Sequence, residues 1–313
     1  MGKAARRARK EAQAARTTVA AAPFIARPFE GLSGESDWVA MRQLLPAALA
    51  TITLRDCDPI RSALGHDPSE TDLNITITTL LPGAWPALHR DNGERLIAIQ
   101  SVGASGDASR DIAAAILAAL AAPAGAPVTH MPPVNADTPR LQDLIDPATT
   151  FAADLRAGFD YWVPDVNALD ARAKAELEEA NASLVPTTRM PADACPKNAI
   201  AYWGLMGDRA LIRLILTDEE NRATDALARL HAASADTLQA EQGAPTRLLG
   251  AFRADGVLIP VWDLDPALGA EAYEKALAEF STRYTAALAS DAPLNPEERR
   301  ARSGLLSRQL TLR

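Results

Sequence analysis

Three times along this chain, two apolar runs of strand length flank a short turn rich in Asp and Gly. The turns are Asp91-Asn92-Gly93, Gly207-Asp208 and Ala254-Asp255-Gly256. Turns of this kind fold their flanking runs back on one another, so they predict antiparallel sheet. The paired runs are NITITTLL (Asn74 to Leu81) with RLIAIQ (Arg95 to Gln100), AIAYWGLM with RALIRLIL, and TRLLGAFR with VLIPVWDL. Other strand-like runs are ATITL (Ala50 to Leu54) and VPTTRM. TTFAADL and FDYWV are read as two strands meeting at Arg156-Ala157-Gly158.

Helical spacing separates these groups. A helix is expected from Ser36 to about Leu45, with Trp38, Met41, Leu44 and Leu45 on one face and Pro46 ending it. SGDASRD opens a second, carrying Ile112, Ile116, Leu117 and Leu120. RLQDLI reads as a short turn and Ala168 to Ser183 as a charged helix. Thr217 to Glu220 reads as a capping box ahead of Leu227, Leu230 and Ala233. A long helix from Gly269 to Ala289 places Tyr273, Leu277, Phe280, Tyr284 and Leu288 on one stripe. The predicted class is α+β, with two tandem related modules: α-βββ-α-ββ-α over 28–167, then βββ-α-ββ-α over 168–294. The helix 168–183 is able to serve both. This element order resembles the small secretion-chaperone fold, in which a twisted sheet with flanking helices holds a client segment.

Charge is distributed unevenly. The 313 residues carry a net charge of −8. Residues 1–27 contribute +6 and residues 297–313 contribute +3, which leaves the body at −17. A body so acidic repels nucleic acid and anionic membranes, so polyanion contact falls to the ends. Residues 1–27 have no apolar stripe and are expected to form a basic, disordered arm. Its Lys3, Arg6, Arg7, Arg9, Lys10 and Arg16 suit either phosphate backbones such as RNA or the ribosome, or a solubilising role. The other end, 295–313, opens with the helix start Asn295-Pro296-Glu297-Glu298, and Gly304 reads as its stop. Leu305, Leu306, Leu310 and Leu312, with Arg308 and Arg313, read as a segment that docks on its own body or on a partner. Ser303, Ser307 and Thr311 lie amid these basic residues and suit phosphorylation or a polar helix face.

No apolar run is long enough to span a bilayer, and Thr17 to Ala26 is too short for a secretory signal. Cys57 and Cys195 stand apart and read as unpaired thiols of a reducing cytoplasm. His66, His89, His130 and His231 show no metal-ligand spacing, so neither a metal nor a cofactor is expected. Asp56/Asp58 and Asp263/Asp265 could ligate a cation or divide acid and base roles, but turns use the same pattern. GLSGES, leading into a helix without a nearby cation, reads as a cap. Trp85, Trp162, Trp203 and Trp262 fall at strand ends or hairpins, as core residues or as anchors lining a client groove.

Several stretches carry a resemblance. RPFEGLSGESDWVAMRQLLPAA, GAWPAL, GFDYWV, IPVWDL and the ending PLNPEERRARSGLLSRQLTLR are similar to an uncharacterised family of actinobacterial proteins. Its members are often labelled as the translocase motor SecA or as a topoisomerase. The residues contradict both labels: the only Gly-Lys pair is Gly2-Lys3, so there is no phosphate cradle, and Cys195 has no zinc partners nearby. The expectation is a non-enzymatic cytoplasmic adaptor that recognises a protein client and touches RNA or the ribosome through its basic arm. The alternatives are a cofactor-independent enzyme using carboxylates such as Asp165 and Asp263, and an accessory factor of protein translocation.

Overall fold

In the computed structural model, which describes residues 20–307 other than Ala104 and Pro132, the predicted turns organise two sheets. The fold is mixed α/β, with eight α-helices among the described residues and two sheets that are antiparallel in the main.

The first sheet has six strands: β1 (Ala48–Thr53), β2 (Asn74–Thr78), β3 (Ala87–His89), β4 (Arg95–Ala98), β5 (Pro127–Val128) and β6 (Asp154–Leu155). They lie in the order β5-β3-β4-β2-β1-β6. The turn at Asp91 to Gly93 is a hairpin, but its first arm is β3, with Ala87 opposite Ile97. NITITTLL is not that arm. Pro82, lacking an N–H, opens a 3-10 turn over Pro82–Ala84 that breaks the run. β2 consequently lies parallel to β4, Thr76 beside Leu96. The expected strand pair TTFAADL and FDYWV is also replaced. Only Asp154–Leu155 joins the sheet, and Asp160–Trp162 is a 3-10 turn that stacks Trp162 on Phe159 at 4.3 Å.

Helices α1 (Glu35–Gln43), α2 (Asp58–Leu64), α3 (Ala108–Ala121) and α4 (Leu141–Leu144) accompany this sheet. α3 is capped by Asp107, whose carboxylate accepts from Ser109 N at 3.1 Å. Its alanines are buried on nearly every side, which permits close approach to the strands. α1 begins at Gly34, where φ is +66° and no side chain caps the end. A Cβ there would lie 2.1 Å from the Phe151 carbonyl, so close packing demands the glycine. α5 (Ala171–Ala182) follows, with Leu177 buried near Phe159 and Ala47.

The second sheet comprises β7 (Thr187–Arg189), β8 (Ile200–Met206), β9 (Arg209–Ile215), β10 (Arg247–Ala254) and β11 (Val257–Leu264), ordered β10-β11-β9-β8-β7 and antiparallel throughout. Both Asp255 and Gly256 have positive φ, as a tight hairpin needs. α6 (Glu220–Ala232), α7 (Glu274–Leu288) and α8 (Pro296–Ser307) complete the chain. The capping box expected from Thr217 is shifted by two residues. Glu219 is the cap, accepting from Asn221 N and Arg222 N, while Thr217 bonds Asn198 and Asp218 accepts from Tyr284. Gly304 does not stop the last helix, which runs on to Ser307.

Alternation along the second sheet divides its residues between two cores. Ala201, Ile212, Leu214, Leu258 and Trp262 pack with Leu227, Tyr273, Leu277, Phe280 and Tyr284. Ile200, Tyr202, Ile215, Val257 and Ile259 pack instead with Trp38, Met41 and Ile52 of the first module. The sheet is thus covered on both faces, which explains why its strands are nearly continuous apolar runs.

Candidate functional site

One end of the seam between the modules does not close. Arg42, Gln43, Leu44, Leu45 and Pro46 from the end of α1, together with Gln100, face Val185, Met206 and Arg213 across a cleft of about 260 Å³. Gln100 fixes one wall by donating to the Met41 and Leu45 carbonyls at 2.7 and 2.8 Å, which caps α1. Asp255, in the β10–β11 turn, fixes another. It accepts from Arg42 at 2.8 Å and Gln43 at 2.9 Å, tying residues more than two hundred positions apart.

Arg213 is the unusual member. It is 7 % exposed, and its Nε has no hydrogen-bond partner. No ion pair reaches it among the described residues, and burial lowers its pKa below the usual guanidinium range. Its register partners are Tyr202 on β8 and Val261 on β11. The Tyr202 hydroxyl is also buried without a partner, and burial raises its pKa. Across Tyr202 stands Arg189, which in contrast pairs with Asp37 at 2.8 Å. Desolvation opposes the charge on Arg189, but Tyr202 and Asp37 more than offset it and its pKa is raised. At the lip, Met206 is one of two large apolar residues that the described surface exposes, the other being Phe24.

The family model of DUF5926, a family of unknown function, fits residues 28–313. The chain belongs to DUF5926. No curated protein and no solved structure matches it.

The DUF5926 fold distributes the sequence-derived candidates among several places. Trp85 and Trp162 come together over Leu81 and the β4 residues Leu96 and Ala98, where the Trp162 indole donates to Leu80 O at 3.0 Å. Trp203 is half-buried beside the second core. Trp262 offers no surface: it is wholly buried, donates to Asp236 O at 2.6 Å and meets Phe280 edge-on. The four tryptophans therefore do not line one groove. Leu305 is buried in the second core, and Leu306 belongs to the same helix. Arg308, Leu310, Leu312 and Arg313 lie outside the described residues, as do Lys3, Arg6, Arg7, Arg9, Lys10 and Arg16. Residues 20–27 are tied to the body through Ile25 N on Gly106 O and Arg27 on Glu35.

The paired aspartates have structural duties. Asp56 pairs with Arg61, and Asp58 begins α2. Asp263 pairs with Arg209 at 3.0 Å. Asp265 accepts from Ala244 N and Ala267 N, which lowers its pKa. Asp165 caps a 3-10 turn through Asn167 N. The histidines are scattered: His89 is buried on Ala122 O and His231 meets Asp236 at 2.7 Å. Among the described residues no three His, Cys, Asp or Glu side chains gather as a metal site. Both cysteines are free, and burial pushes the Cys195 thiol up to about 11. Among these residues, too, no helix is long and apolar enough to cross a membrane.

Sequence reasoning passed over Arg213. The signal was present in RALIRLIL, where one cation interrupts an otherwise apolar run in phase with Leu211 and Ile215.

Proposed function

We propose that this DUF5926 protein is a non-enzymatic cytoplasmic binding protein that seats a segment of a protein client in the seam cleft. The observation that carries the reading is the cleft itself, in which aliphatic walls from both modules and the exposed Met206 surround a buried, unpaired guanidinium. Apolar side chains exposed beside a cleft mark contact surfaces more often than isolated ones do. An unpaired buried charge costs several kcal/mol, so its retention favours a role in binding over one in stability. A photoreactive amino acid placed at position 206 tests the reading against the same label at position 24. Crosslinking of one defined protein from 206 and not from 24 is the expected result. Identical products from both positions, or none from 206, would overturn it.

The charge asymmetry of the sequence favours a second contact. The basic arm meets a polyanion such as RNA, without reading its sequence. RNA affinity should fall steeply with salt and vanish on deletion of residues 1–19. Binding that persists in the truncated chain counts against the arm.

A further inference from the structure

We infer that Arg213 anchors the client by binding the side-chain carboxylate of an acidic residue flanked by aliphatic residues. The inference rests on the cleft as the client's seat and adds the chemistry of what enters it.

Charge complementarity points to a monoanion. Two guanidinium groups line the cleft, and Asp255 neutralises only that of Arg42. One positive charge is left over, inside a body that is otherwise strongly acidic. A single surplus charge matches a carboxylate better than a dianionic phosphate, and the planar guanidinium can bind a carboxylate through two parallel hydrogen bonds. The walls supply the rest of the specificity. Leu44, Leu45 and Val185, with Met206 at the lip, suit aliphatic neighbours on either side of the acid. A space of about 260 Å³ takes the acidic side chain and leaves the client backbone, with the aliphatic neighbours, at the mouth.

Gly204 provides a second handle on the same group. A Cβ at this position would lie 3.3 Å from Arg213 Nη2 and 3.6 Å from the Pro186 carbonyl, so the missing side chain leaves the room the guanidinium occupies.

The test uses the full chain and three acetylated peptides, with affinity read by calorimetry. One carries Glu between leucines and an amidated end. The second replaces Glu by Gln. The third keeps Gln and has a free terminal carboxylate. The Glu peptide should bind roughly tenfold or more tightly than the Gln peptide. Arg213→Met should erase that preference while leaving the melting temperature at or above that of the parent. Gly204→Ala should weaken it in a chain that still melts cooperatively. Equal binding of Glu and Gln peptides, or a preference that survives Arg213→Met, overturns the carboxylate and leaves the client seat standing. A preference for the free-acid peptide overturns the side-chain assignment. Failure of all three peptides, together with no crosslink from position 206, overturns the seat itself.

Discussion

Arg189 and Arg213 flank Tyr202 in one row of the second sheet, yet among the described residues only Arg189 has a counter-charge. The two should therefore answer the same substitution with opposite signs. Arg189→Met leaves Asp37, which is 5 % exposed, without its cation; among the described residues Ala153 N at 3.0 Å remains its one donor besides the arginine. Removing one partner of a fully buried pair costs about 3–5 kcal/mol, and the one-third exposure of Arg189 reduces this to about 2 kcal/mol. Arg213→Met removes a charge that no described residue compensates, so stability should rise by about 1 kcal/mol. Urea denaturation of both variants measures the contrast. A fall for both would mean that Arg213 supports the sheet by packing alone.

At the scale of elements, the contacts that hold α8 include a buried leucine, the packing of Ala301 and an ion pair. Leu305 is 2 % exposed in the second core, and Arg302 reaches Asp225 at 2.6 Å and Asn221 at 2.9 Å. Leu305→Ala should cost about 2–4 kcal/mol, read as a lowered denaturation midpoint. No change would mean that the helix end is not held at this site. The cap of α6 makes a prediction in pH. Hydrogen bonds from Asn221 N and Arg222 N hold the Glu219 pKa below the ordinary carboxylate value. Its stabilisation is complete above the unfolded pKa and is lost as pH falls through the lower folded one. Glu219→Gln should accordingly flatten the acid side of a plot of melting temperature against pH, and an unchanged slope would remove Glu219 from the acid response. Local signals made these elements legible to different degrees. Hairpins at Gly207-Asp208 and Asp255-Gly256 could be read because turn and strands are contiguous. α2 was missed because it is short and buries only Ile60, and β3 because three residues show no period. The parallel pairing of β2 with β4 depends on a chain reversal at Pro82, which the alternation of NITITTLL does not encode. The cleft was less visible still. RALIRLIL displays its arginine, but whether a counter-charge faces it is decided by α1, some 170 residues away.

The whole molecule is less modular than its repeating pattern implies. Ile200, Tyr202, Ile215, Val257 and Ile259 complete the first core, so the second sheet has no bare face only while the first module covers it. Residues 184–307 produced alone should expose that face and aggregate, with size-exclusion chromatography as the measure. A monomeric, cooperatively melting fragment would show that the second half is self-sufficient. The intact chain should unfold in one calorimetric transition, because the first core is closed only by residues of the second sheet, whose other face carries the second core. The same shared core bears on how the chain is made. The first sheet ends at Leu155, but two of the residues that seal its core, Val257 and Ile259, emerge roughly a hundred residues later. At about 5–20 residues per second, the nascent amino-terminal half stays unsealed for roughly 5–20 s while the ribosome works on. Its apolar surface is then open to chaperones, and a pause in translation between these points would lengthen that exposure in proportion.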